Sequence, residues 1–211
     1  MIFCRKFILI ALLLAISAVN NAQNLQVDSE YFASLEKERT EKNKEFLEDE
    51  KSPLDSIKKK EFKGLGYFEV DPKWRVSARL EKYSDPDTIK MKTTTERLPL
   101  YLVYGKAYFF LEGKEFALTI FRNVGLMSKP GYEDYLFVPF RDETSGQESY
   151  GWGRYIDARE VKGDTLLIDF NKAYNPYCVY SKKYSCPVPP AENYLELQVT
   201  AEEKEKTLES I

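Results

Sequence analysis

Histidine is absent from all 211 residues. That excludes any Ser-His-Asp or Cys-His nucleophile arrangement and any histidine-ligated zinc or haem site. Proton transfer would fall to carboxylates, lysine, tyrosine or cysteine. Cysteine is scarce as well, with Cys4, Cys178 and Cys186 alone. Two late thiols and no imidazole leave a transition-metal site short of ligands. An excess of positive charge is also missing: 31 Lys and Arg face 34 Asp and Glu, a net charge of −3. Phosphate backbones and anionic lipid surfaces need a basic footprint, so neither nucleic acid nor a charged membrane is an expected partner.

Long hydrophobic runs are lacking except at the start. "FILIALLLAISAV", Phe7 to Val19, follows Arg5 and Lys6. It is shorter than the ~20 residues a spanning helix needs, and it suits a secretory leader. Residues 1–22 are therefore expected to be a signal peptide, cleaved between Ala22 and Gln23. The protein is expected to be exported, periplasmic or secreted, with no membrane span in the mature chain. Cys4 precedes the apolar run, so a lipid anchor is not expected.

The remainder, 23–204, reads as a single β-rich domain, long enough to bury about 70% of its unfolded surface. Residues 205–211 read as a frayed tail. "VDSEYFASLEKERTEKNKEFLEDE" is rich in Glu and Lys and free of Gly and Pro. It predicts a helix over 29–50, with Ser29 as N-cap, apolar residues at both ends and a solvated middle. Ser52-Pro53 closes it. Strands are expected from about residue 64. In "WRVSARL", Val76, Ala78 and Leu80 alternate with polar residues, the two-residue repeat of a half-buried strand. "LPLYLVYG", "KAYFFLEG", "KEFALTIFRN", "YLFVPF", "GRYIDAR", "DTLLIDF" and "YLELQVTA" follow. Gly105 and Glu112-Gly113 read as hairpin turns, and Pro139 as an edge or bulge. Short strands at this spacing predict a mainly β fold: an antiparallel barrel-like or sandwich sheet with one N-terminal helix packed on it.

Two segments break the strand period. "FRDETSGQESYGWGRY" holds Arg141, Asp142, Thr144, Ser145, Tyr150 and Arg154. No strand–turn–helix unit surrounds Gly151 and Gly153, so they are not a dinucleotide fingerprint and instead suit positive φ or close backbone approach. Arg154 could form a fork for an anion. "DFNKAYNPYCVYSKKYSCPVPPAEN" holds Asp169, Asn171, Tyr174, Asn175, Asn193 and the cysteine pair. Cys178 and Cys186 admit a disulfide, a reactive thiol near Lys182 and Lys183, or two packed reduced cysteines. A metal site is not expected, because a calcium-type cage around Asp169, Asn171 and Asn193 lacks the regular loop spacing.

"LFVPFRDETSGQESYGWGRYIDA" and "IDFNKAYNPYCVYSKKYSCPVPPAENYLELQVTAEEK", with "SPL" at 52–54, "F-x-x-L" at 62–65 and "YFEVDPKWRVSARL" at 67–80, resemble the uncharacterised prokaryotic family called domain of unknown function 1684. The resemblance spans about residues 30–204. It implies a shared fold and two signature segments, with no activity attached. Two positions depart from the family pattern. Trp152 stands among the glycines before "GRY", and Glu202 replaces the usual glycine near the end.

Three functions are consistent with these features. The first is a binding module for a small polar or anionic ligand, read by Arg141, Thr144, Ser145, Tyr150, Arg154, Asn171, Tyr174, Asn175 and Asn193. The second is a histidine-free hydrolase or transferase using Asp142 or Asp169 as acid or base. The third is a structural or partner-binding envelope protein. No cofactor is indicated. All three place the two aperiodic segments around one cavity.

Overall fold

The computed structural model describes residues 28–204. The expected leader (1–22) and tail (205–211) lie outside the described residues. Helix α1 covers 28–48 and α2 covers Ser56–Glu61. The chain divides into two compact units, one up to Lys42 and one from Asn43 onward. The described part of the first unit is the opening of α1, where Lys37 and Glu41 pair at 3.8 Å. Residue 28 is already helical, so Ser29 stands inside the helix rather than at its cap.

In the second unit, the end of α1 buries Phe46 against the rings of Phe62, Tyr177 and Tyr180, while Leu47 is exposed. Ser52 Oγ donates to the Phe46 carbonyl at 2.5 Å, which satisfies one of the acceptors a helix end leaves open.

Eight strands make the sheet: β1 Arg75–Lys82, β2 Thr88–Lys90, β3 Leu100–Leu111, β4 Lys114–Asn123, β5 Tyr135–Asp142, β6 Arg154–Arg159, β7 Thr165–Asp169 and β8 Tyr194–Leu195. Their order is β6-β5-β4-β3-β1-β7, with β2 beside β3 and β8 parallel to β5. β6 and β7 are joined by a short turn yet lie at opposite ends of this order. A five-residue connection can reach across only if the sheet curls on itself, and it does so as a half-barrel. The expected mainly β, antiparallel fold with an N-terminal helix is what the chain adopts.

The curl creates two apolar layers. Leu136, Val138 and Phe140 of β5 join Leu118, Ile120, Ile156 and Phe170 in the larger core. Phe137 between them points the other way, to a second cluster with Tyr101, Phe121, Tyr155 and Cys186. Alternate side chains leave opposite faces of a strand, so "YLFVPF" is nearly all apolar because both of its faces are covered. The cover on the second face is not sheet. It comes from Met91 and from Tyr174, Cys178, Tyr184 and Cys186, residues of the cysteine segment.

Two strand expectations need correction. Gly105 is not a turn. β3 runs straight through it, with a bulge between Val103 and Gly105. A Cβ there would lie 2.3 Å from the Glu81 carbonyl oxygen of β1, so the glycine allows two backbones to approach. The turn is at Glu112-Gly113, where φ is 51° and 79°. "YLELQVTA" is not a full strand either. Only Tyr194 and Leu195 pair with β5, because the carbonyls of Val199, Ala201 and Glu203 are bonded to a buried side chain instead of a ladder.

Pro139 marks an opening in the sheet. β4 and β5 pair at Phe121 and Phe137, and the same register brings Thr119 opposite Pro139. Proline has no N–H to donate there. The Asn193 side chain fills the gap: Thr119 N donates to Oδ1 at 2.8 Å, and Nδ2 donates to Thr119 O at 2.9 Å and Pro139 O at 2.7 Å. One amide thus replaces a ladder step. Asn193→Ala should lower unfolding free energy in urea by about 3 kcal/mol, since it leaves several buried backbone groups unpaired. A loss under about 1 kcal/mol would show that β4 and β5 do not depend on this wedge.

Candidate functional site

The polar residues of the two aperiodic segments sort into a buried lock and an open cleft. The lock centres on Arg154, which opens β6 and is 1% exposed. Its NH2 donates to Asp142 Oδ1 at 3.1 Å and to Val199 O at 2.8 Å, and its NH1 donates to Ala201 O at 2.5 Å. Burial pulls the guanidinium below its usual pKa, and the Asp142 charge pushes it back up. Asp142 Oδ2 also accepts from Thr144 Oγ1 at 2.7 Å and Val199 N at 2.8 Å, and Ser145 Oγ lies 3.3 Å from Oδ1. Arg154 therefore binds residues 199–203 of its own chain and has no face open to an outside anion. Arg141 lies half-buried next to Asp142 on β5, and its Cγ would be 2.8 Å from a Cβ at Gly153. Gly153, with φ of 97°, would also bring a Cβ within 2.5 Å of the Phe140 carbonyl, so close packing and left-handed φ both require glycine.

The remaining expected residues are likewise built into the frame. Asn171 is fully buried and braces the start of β1, accepting from Asp71 N at 3.2 Å and donating to Asp71 O at 2.9 Å. Asp169 Oδ1 accepts from Asn171 N at 3.1 Å and Nδ2 at 3.3 Å. Asn175 N donates to Glu203 Oε2 at 2.7 Å, and its Nδ2 donates to Lys204 O at 2.9 Å. Tyr174 and Tyr135 both donate to Asp157 Oδ1 at 2.7 Å. Asn193 wedges β4 from β5 as above. At Glu202 the backbone takes φ of 54°, the conformation a glycine would adopt without strain, and its carbonyl accepts from Phe68 N at 2.7 Å.

The cleft lies over the second apolar layer and has a volume of about 450 Å³. Thr93, Thr94 and Thr95 form one side. Tyr150 and Trp152 come from the glycine-rich loop, and Cys178, Lys182 and Tyr184 from the cysteine segment. Two of these were named from the sequence, Tyr150 as a ligand contact and Cys178 as one of the cysteine pair. The three threonines, Trp152, Lys182 and Tyr184 were not assigned to a site. The sequence does carry local signals, the run "TTT" and a tryptophan between two glycines. Trp152 is 56% exposed at the rim.

Local backbone bonds set the two thiols against each other. Pro176 opens a single 3-10 turn, Tyr177–Val179, that presents Cys178. Cys186 is zipped to the threonine run: Thr94 N donates to Cys186 O at 2.9 Å, and Cys186 N donates to Thr94 Oγ1 at 3.1 Å. Cys178 N lies 3.3 Å from Cys186 Sγ and donates to it. The structure carries both as free thiols, one of the states the sequence admits. Cys178 is half-buried at the cleft wall and Cys186 is buried behind it. A hydrogen bond from the Cys186 thiol lowers the Cys178 pKa to about 6 against an opposing burial penalty, and the Tyr150 and Thr94 hydroxyls add to the lowering. The same bond, with burial, pushes Cys186 up. Tyr150 Oη lies 3.7 Å from Cys178 Sγ.

Among the described residues no three His, Cys, Asp or Glu side chains gather as a metal would need, and no helix is long and apolar enough to cross a membrane. Residues 60–204 match the family model described as "Protein of unknown function (DUF1684)". The chain is similar to an uncharacterized protein of Haloarcula marismortui solved by solution NMR. Identity is 37%, the match covers 88% of this chain and 99% of that one, and the TM-score is 0.68. No curated protein matches.

Arg154→Ala strands Asp142 and three carbonyls in the core, and should cost about 3–5 kcal/mol in urea unfolding; a change within 1 kcal/mol would mean the lock does not hold the fold. For the thiols, iodoacetamide alkylation of Cys178 should rise through an inflection near pH 6, because the thiolate is populated above that pH. Cys186→Ala and Tyr150→Phe should each move the inflection upward, toward the ~8.5 of an ordinary thiol. An inflection that starts near 8.5 in the wild type would remove the case for an activated Cys178.

Proposed function

The chain belongs to the DUF1684 family, and we propose that it is an exported β-rich protein that binds a small polar or anionic molecule in the cleft over Cys178. The observation that carries this is the convergence of three separate stretches on one cavity of about 450 Å³. That volume suits a small metabolite. The lining contains Lys182, three threonines and Tyr150, and among the described residues it contains no carboxylate. Trp152 and Tyr184 supply apolar faces beside these polar groups, the mixture typical of small-molecule sites. Export rests on the basic and apolar leader sequence at residues 1–22.

A histidine-free hydrolase or transferase is less well supported. Its candidate carboxylates, Asp142 and Asp169, are engaged with Arg154, Thr144 and Val199 and with Asn171. Neither lines the cleft.

A thermal-shift screen of the chain from Gln23 against sugars, carboxylates and phosphorylated metabolites tests the proposal. A binding compound should raise the Tm and alter Trp152 fluorescence. Lys182→Ala should weaken an anionic ligand about tenfold, or ~1.4 kcal/mol, without lowering the Tm of the free protein. If no compound shifts the wild type, the binding reading fails.

A further inference from the structure

We propose that Cys178 and Cys186 form a thiol–disulfide exchange centre, with Cys178 attacking low-molecular-weight disulfides that reach the cleft and Cys186 resolving the adduct. The proposal rests on the cleft described above as the site of access. It does not require a second ligand to be held there.

The geometry divides the two roles. An exchange centre needs one accessible sulfur to attack and one protected sulfur within reach of it. Cys178 forms part of the cleft wall, and Cys186 is 7% exposed behind it. Cys178 N–H points to Cys186 Sγ at 3.3 Å, which sets the second sulfur beside the first. Eight residues separate them in sequence, and the pairing of Thr94 with Cys186 holds the second cysteine at a fixed place. The groups that face Cys178 are the Cys186 thiol, the Tyr150 and Thr94 hydroxyls, and Lys182 and Tyr184 across the cleft. The Tyr150 and Thr94 hydroxyls can donate to sulfur, and among the described residues no carboxylate lines the cavity, so the thiolate is favoured. Lys182 and the threonines also offer a polar lining for a disulfide that carries carboxylates.

The chemistry balances without a cofactor. The Cys178 thiolate attacks one sulfur of the disulfide RSSR, the S–S bond of RSSR breaks, and a thiolate RS⁻ leaves. The Cys186 proton passes to that leaving group, giving RSH. The Cys186 thiolate then attacks Cys178 Sγ, the mixed disulfide breaks, and a second RS⁻ leaves and takes a proton from water. The protein loses two electrons and becomes the intramolecular disulfide, while RSSR gains two and becomes two thiols. A depressed pKa raises the thiolate fraction but lowers the nucleophilicity of each thiolate. The balance leaves Cys178 on the order of tenfold faster at pH 6 than an ordinary thiol of pKa ~8.5.

The test uses the reduced full mature chain with glutathione disulfide at pH 7, quenched by alkylation and read by intact mass and peptide mapping. The wild type should lose both free thiols and end two mass units lighter, with no glutathione retained. Cys186→Ser should accumulate one glutathione on Cys178, and Cys178→Ser should remain unmodified at Cys186 over the same time. A wild type that stops at the mixed disulfide, that reacts first at Cys186, or that keeps both thiols overturns the proposal. Because the wild-type thiol count needs no variant, poor folding of a mutant does not blunt the result. The thiol count is also read without any bound metabolite, so a failed ligand screen and a failed exchange are separate findings.

Discussion

The fold depends on one buried cation. Removing the Arg154 guanidinium from water costs several kcal/mol, and that cost is offset only if every strong partner is supplied inside. Asp142 supplies the charge, and the carbonyls of Val199 and Ala201 supply acceptors. The benefit is mutual. The stretch after β8 lies against the core with little ladder, and the carbonyls of Val199 and Ala201 would otherwise be buried and unpaired. Arg154 has donors in a planar fork that can meet several of them at once. The stretch held in this way carries Glu203, whose carboxylate receives the Asn175 N–H. Asn175 in turn precedes Pro176 and the turn that presents Cys178. The lock is thus a structural antecedent of the turn at Cys178, 24 residues along the chain from the arginine that anchors it.

The curl of the sheet explains why a cleft can lie outside the barrel. A half-barrel core fills one face of β5 and β6, and the other face still presents Phe137 and Tyr155. Covering that face with loops buries it, but loops pack less regularly than sheet and leave room between them. Tyr155 Oη is bonded to the Pro187 carbonyl, and Thr93 bridges to Pro187, so the cover is fastened at its edge. The space left beside these fastenings is the cavity lined by the threonines, Tyr150 and Cys178.

Much of the frame was legible along the chain. The alternation in "WRVSARL" predicted β1, with Val76, Ala78 and Leu80 inward, and the structure has that burial. The Glu112-Gly113 turn was readable because it needs positive φ. Gly105 was misread because a glycine that permits a turn and a glycine that permits two strands to touch look the same in one dimension. The closing segment was misread because "YLELQVTA" alternates like a strand, while the Val199 carbonyl is engaged by an arginine 45 residues earlier. The site was half legible. Both aperiodic segments do meet at one cavity, through Tyr150, Trp152, Cys178, Lys182 and Tyr184. The polar residues that looked most like ligands, Arg154, Asn171 and Asn193, are committed to backbone groups instead.

Composition and local period by themselves determined the excluded chemistries, the mainly β class and the helical start, because each depends on which residues exist or on neighbours two to four positions apart. Tertiary structure alone decided which polar side chains are frame and which are open to solvent, since an amide or guanidinium is equally able to bond a ligand or a distant carbonyl. It also decided that the two late cysteines lie beside each other, with Cys178 at a cleft wall and Cys186 buried. Spacing of eight residues permits that arrangement, but the backbone pairing of Cys186 with Thr94 is what imposes it.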